Sequence, residues 1–140
     1  MRRAGYTLLE LMVVTTIAAL SLALVAPRFA ALRDGASVRG AVAEIGAAFS
    51  MARQAAIARR TTVAIVFDTS GGTLEVRSAG HTVWRRALRS MYGIALGANR
   101  DSAVYDARGL GYGVSNLSVT VRRGALADTL TMSRMGRVRW

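Results

Sequence analysis

The chain has 140 residues, 52% of them hydrophobic, and a formal net charge of +11 from 19 basic and eight acidic residues. That length holds one domain plus an N-terminal anchor, and the absence of cysteine excludes a disulfide framework and a thiolate metal site. All the basic residues are arginine, and they are spread along the chain. Residues 1–60 carry eight arginines against Glu10, Asp34 and Glu44, and residues 61–140 carry eleven against five acids, so there is no basic tail. Such a balance serves solubility, or it serves an anionic partner such as nucleic acid or phospholipid head groups.

The first 27 residues, MRRAGYTLLELMVVTTIAALSLALVAP, are the most informative. Two arginines and a glycine precede Tyr6–Ala26, a stretch of apolar or small residues interrupted only by Glu10. A secretory signal peptide would match Arg2 and Arg3, but its apolar region is shorter and carries no acid. A buried core helix is disfavoured because no polar face is present. A membrane helix fits best: 21 residues reach about 31 Å, matching a hydrocarbon core of about 30 Å. Arg2 and Arg3 mildly favour a cytoplasmic N-terminus. A carboxylate inside such a span is costly, roughly 2.5–3.5 kcal/mol on lenient scales, and normally marks a paired, functional group.

The run Gly5-Tyr6-Thr7-Leu8-Leu9-Glu10 resembles the signal of type IV prepilins and type II secretion pseudopilins. The resemblance implies a leader, residues 1–5, cut off after Gly5 by the prepilin peptidase, and methylation of the new amine on Tyr6. It also implies that Glu10, the fifth residue of the mature chain, aligns incoming subunits in a filament. Its other implied partners are further pilins, met through the N-terminal helix, and the bacterial inner membrane, crossed once with the C-terminal domain in the periplasm.

Pro27 lacks the N–H of a helical ladder and predicts a kink. Beyond it Phe29, Leu32, Ala36, Val42, Ile45, Phe49, Ala52 and Ala56 recur mostly at three or four residues, so an amphipathic helix is expected over 27–60. The period then changes to that of strands. Thr61–Phe67 and Thr73–Ser78 around the turn cluster 68–72 form an expected hairpin, with Thr82–Leu88 as a third strand. Residues 90–115 are glycine-rich and read mainly as loop. Leu117–Arg123 and Thr129–Ser133 read as strands flanking Gly124–Asp128, and Gly136–Trp140 as the closing strand. The expected fold is α+β: a long N-terminal helix, transmembrane over 6–26, packed on a small antiparallel sheet domain over 61–140. This order is similar to the GspH/FimT branch of the type IV pilin-like pseudopilins, with Val104–Gly109 and Met135–Arg139 as looser supporting motifs.

No enzymatic constellation is apparent. His81 is the only histidine and reads as a turn residue, and no G-x-S-x-G elbow is present. Gly109-Leu-Gly-Tyr-Gly113 lacks a P-loop lysine, and Asp101 and Asp106 have no third calcium ligand. Neither enzymatic activity nor a cofactor or metal is expected.

The C-terminus carries the alternative. On a strand Arg137 and Arg139 project from one face about 6.6 Å apart, with Arg122, Arg123 and Arg134 expected nearby and Trp140 able to stack on a base. In the resembled family a C-terminal G-R-x-R motif, matched by Gly136, Arg137 and Arg139, is associated with DNA binding in natural-transformation pilins. A similar ending in secretion pseudopilins serves strand termination and packing. The expected function is therefore that of a minor pseudopilin or pilin, a structural subunit of a type II secretion pseudopilus or type IV pilus. The alternative is a DNA-binding minor pilin of a DNA-uptake pilus.

Overall fold

The structure, a computed structural model, describes residues 7–112 and 116–139, without the side chain at position 27. Helix α1 runs unbroken over Leu8–Arg59. Thr7 caps it: the Glu10 N–H donates to Thr7 Oγ1 at 3.2 Å, which satisfies one of the free donors of the first turn. At the other end Arg60 adopts a left-handed φ of 50°, while the Thr61 N–H reaches the Ala56 carbonyl at 3.2 Å and the Arg60 N–H reaches that of Ile57 at 3.3 Å. Those two bonds are a Schellman closure. The chain divides into two compact units, Met1–Arg33 and Asp34–Trp140.

Within the second unit the strands are β1 (Val63–Asp68), β2 (Thr73–Ser78), β3 (His81–Ala87), β4 (Ala95–Ala98), β5 (Ser102–Tyr105), β6 (Gly111–Tyr112), β7 (Leu117–Arg123), β8 (Leu126–Met132) and β9 (Val138–Arg139). A short helix α2, Leu88–Tyr92, follows β3. They form the expected antiparallel β domain, divided into two sheets: β3-β2-β1-β5-β6 and β4-β7-β8-β9. The extra strands come from residues 90–115, which read as loop. Ala95-Leu-Gly-Ala98 has almost no strand propensity of its own; it is extended because it pairs with Val119–Arg122 of β7. The turn between β7 and β8 is also tighter than expected, since Leu126 already pairs with Arg123. His81 opens β3 opposite Ser78, and the turn before it is made by Ala79 and Gly80 with φ of 49° and 81°.

One core joins helix and sheets in this unit. The buried helix stripe is Val38, Ala41, Val42, Ile45, Ala48, Phe49, Ala52 and Ala56. It starts later than the expected stripe, because Phe29 and Leu32 are each 67% exposed. Phe49 meets Phe67 and Tyr105 with ring centroids 6.1 and 6.5 Å apart, the second pair edge-to-face. Alternating residues of the second sheet, Leu117, Val119, Val121, Leu130 and Met132, complete the core.

Candidate functional site

Two parts of the molecule carry the chemistry singled out in the sequence. The first is the helix span from Leu8 to Arg33. Its large apolar side chains are exposed: Leu8, Leu9, Leu11, Met12, Val13, Val14, Ile17, Leu20, Leu22, Leu24 and Val25 all face outward. Helix α1 is the one helix among the described residues that is long and apolar enough to cross a membrane, by length and composition. Its polar hydroxyls are turned inward onto the backbone, with Thr15, Thr16 and Ser21 donating to carbonyls one turn back at 2.7–2.9 Å. Glu10 sits in the first turn and is exposed. Gly5 and Tyr6 lie outside the described residues, and α1 continues through position 27 without a break.

The second is the surface at β9. A groove of about 690 Å³ is lined by Arg137 and Arg139 with Ser118, Thr131, Ser133 and Asn116, among others. Arg139, Thr131 and Ser118 are register partners in a row across β9, β8 and β7. They share the outward face, because their neighbours Leu117, Val119, Leu130 and Met132 point into the core. Thr120 and Thr129 continue the hydroxyl face in the next row, with their Oγ1 atoms 3.2 Å apart. Among the described residues, no acidic one lines the groove.

The two arginines reach the groove differently from the expected alternation. Among the described residues of the expected strand 136–140, only Val138–Arg139 is strand. Arg137 belongs to the preceding turn, where its N–H meets Ser133 Oγ at 3.3 Å and its carbonyl accepts the Ser133 N–H at 2.9 Å. That turn depends on Gly136, whose φ is +72° and where a Cβ would lie 2.8 Å from the Tyr105 ring and 3.1 Å from the Gly109 carbonyl. The buried Tyr105 hydroxyl donates to the Gly136 carbonyl at 3.2 Å. Burial pushes the Tyr105 hydroxyl up to about 12, with the Arg53 charge opposing it.

The other expected members are elsewhere. Arg134 is exposed in the turn and is not among the lining residues, and Trp140 lies outside the described residues. Arg122 is exposed on β7 but four residues from Ser118, about 13 Å along the strand. Arg123 is a structural residue and not a surface cation. Its Nε donates to Asp34 Oδ1 at 2.7 Å and its Nη1 to Ser37 Oγ at 2.9 Å and to the Tyr92 carbonyl, tying β7 to the helix and α2.

Comparison with known proteins joins these observations. Residues 1–26 match the family model described as the prokaryotic N-terminal methylation motif. Two crystal structures of the type IV minor pilin FimU from Pseudomonas aeruginosa share the fold. One superposes with a TM-score of 0.65 at 15% identity, over 77% of this chain and 90% of that one. The other gives 0.60 at 15% identity, over 72% and 90%. The fold is type IV pilin-like. No curated protein sequence matches the chain.

In this pilin-like chain the motif Val104–Gly109 builds a turn. Asp106 Oδ1 accepts the N–H groups of Arg108 and Leu110, both at 2.9 Å. The Leu110 bond is the main cause holding the Asp106 carboxyl below its usual range, with the Arg108 pair adding to it. Two features were missed in the sequence. Thr7-Leu-Leu-Glu10 is a T-x-x-E sequence opening an apolar helix, the signature of a capping box, so the pilin-like motif also contains its own helix start. Glu75 is the other. It is buried between Arg77 and Arg85, which lie in register or two residues away on β2 and β3. Hydrogen bonds from Arg85 and then Arg77 hold its carboxyl below the usual range against the opposing cost of burial.

Proposed function

We propose that the chain is a minor pilin or pseudopilin, a structural subunit that enters a filament through its N-terminal helix. The observation that carries this is the exposed apolar span of α1 with a single acid, Glu10, lying largely within the residues, 1–26, that match the methylation motif. In this reading the Gly5–Tyr6 bond is cut by the prepilin peptidase and Tyr6 is methylated. The helix holds the subunit in the inner membrane, with the C-terminal unit on the periplasmic side, until assembly. An exposed apolar helix needs either lipid or other helices around it, and extraction from the bilayer into a helical core exchanges one for the other. Glu10 then pairs with the new amine of a neighbouring Tyr6, which repays the cost of carrying a charge in the membrane. Changing Glu10 to Ala is expected to reduce filament incorporation more than about tenfold while membrane fractionation of the chain stays unchanged. Undiminished incorporation of that variant in a filament-shearing assay would overturn the reading.

A second reading is favoured by the groove at Arg137 and Arg139: this subunit binds nucleic acid in a DNA-uptake pilus. Support comes from two guanidinium groups and a row of hydroxyls on one acid-free face, a set suited to phosphate oxygens. Full-length protein in detergent is expected to shift single- or double-stranded DNA in a gel, with affinity falling steeply as salt rises. Unchanged affinity in the Arg137→Ala, Arg139→Ala double variant would remove this reading and leave the structural one.

A further inference from the structure

Arg137 also lines a second, smaller cavity of about 220 Å³, together with Arg53 and Ser50 of the helix, Phe49, Tyr105 and Gly136. The two arginines come from segments 84 residues apart in sequence and are set in place by two glycines. At Gly109, φ +74°, a Cβ would lie 3.2 Å from Arg53 Cγ and 2.7 Å from Ile57 Cδ1, so the bare backbone there is what lets the Arg53 stem lie against the turn. At Gly136 the equivalent crowding against Tyr105 fixes the turn that carries Arg137. Phe49 and Tyr105 contribute packed rings to the floor, and among the described residues no acid lines the cavity. Like charges are thus held around one small space by tertiary packing. The two exposed guanidinium groups and the Ser50 hydroxyl offer donors to an oxyanion from both sides of that space.

We propose that this cavity is a phosphate site, with Arg53 and Arg137 as paired guanidinium donors and the Ser50 hydroxyl as a third. Its volume lies below the roughly 300–1,000 Å³ that encloses whole organic ligands, so it selects a single group. That group is either free phosphate or one phosphate of a nucleic-acid backbone reaching over from the neighbouring groove through Arg137. The site does not rest on the filament reading. It is separable from the DNA reading because it turns on Arg53 and Ser50, which that groove does not use.

The test is calorimetric titration of the full chain in non-ionic detergent with inorganic phosphate, ionic strength being balanced with chloride, and in parallel with a short single-stranded oligonucleotide. Phosphate is expected to saturate. Arg53→Gln and Arg137→Gln should each weaken it about tenfold, Ser50→Ala about threefold, and Arg139→Gln less than about twofold. Ser50 and Arg137 are exposed positions, so those variants keep the test valid should Arg53→Gln lower the melting temperature. If oligonucleotide affinity falls with Arg53→Gln as well, the phosphate belongs to nucleic acid. If only inorganic phosphate responds, the ligand is the free ion. Phosphate binding no tighter than chloride, or indifferent to Arg53→Gln and Ser50→Ala, overturns the site. An oligonucleotide that responds to Arg139→Gln alone, with inorganic phosphate indifferent to Arg53→Gln, overturns the site while sparing the DNA reading.

Discussion

The two halves of helix α1 are both rich in apolar residues and yet structurally opposite. Leu8–Arg33 is the more apolar half, yet its large side chains are exposed. Asp34–Arg59 carries more charge and three glycines, yet Val42, Ile45, Phe49, Ala52 and Ala56 are buried. Hydrophobicity alone therefore does not predict burial within this chain. What distinguishes the halves is amphipathicity: a helix apolar all round offers no single face to a small domain and needs surroundings that are apolar on every side, whereas a stripe needs only one partner. Small residues at Ala41, Ala48, Ala52 and Ala56 further let the second half approach the sheets closely, with larger side chains such as Phe49 filling the spaces between.

The contrast can be broken most forcefully at Phe49. Phe49→Ala removes the ring between Phe67 and Tyr105, and denaturant unfolding of the C-terminal unit, followed by tryptophan fluorescence, is expected to show a loss of about 3–5 kcal/mol. Next comes the start of the packed half. Asp34→Ala leaves the partly buried Arg123 guanidinium without its carboxylate, and about 1–3 kcal/mol should be lost by the same measurement. A smaller effect concerns pH. Because Glu75 has a carboxyl pKa lowered from 4.5 in the folded state, its stabilisation is present above that value and is lost as pH falls through the lower folded value. Wild type should therefore lose stability in that acid range relative to Glu75→Gln, and parallel pH profiles of the two would show that the Arg77–Glu75–Arg85 cluster contributes nothing. The smallest effect is expected at Ile17→Ala, within about 0.5 kcal/mol for the same unit, since Ile17 is 58% exposed and lies in the other half. A large loss there would erase the distinction between the halves.

The long helix was legible because its apolar run over 6–26 and the recurrence at three or four residues from Phe29 to Ala56 are local, whereas its Thr7 cap and left-handed end at Arg60 were not read. The strands β1, β2 and β7 were legible for the same reason, being β-branched and alternating. Residues 95–112 were not. Their strands are only two to four residues long, too short for a period to show, and they are extended by pairing with β1, β5 and β7. At the candidate groove, Arg137 and Arg139 stood out by spacing. The opposite fate of Arg123 did not, because its partners Asp34 and Tyr92 are 89 and 31 residues away.

By itself the sequence determined the membrane-length apolar span, the acid within it and the motif before it, since each is a property of consecutive residues and of their cost in lipid or water. Tertiary structure alone decided the division into two sheets and which arginines are held internally. It also decided that Arg53 and Arg137 share a cavity. Those outcomes depend on which distant backbones pair and how closely two glycines let them approach, and no window along the chain contains that information.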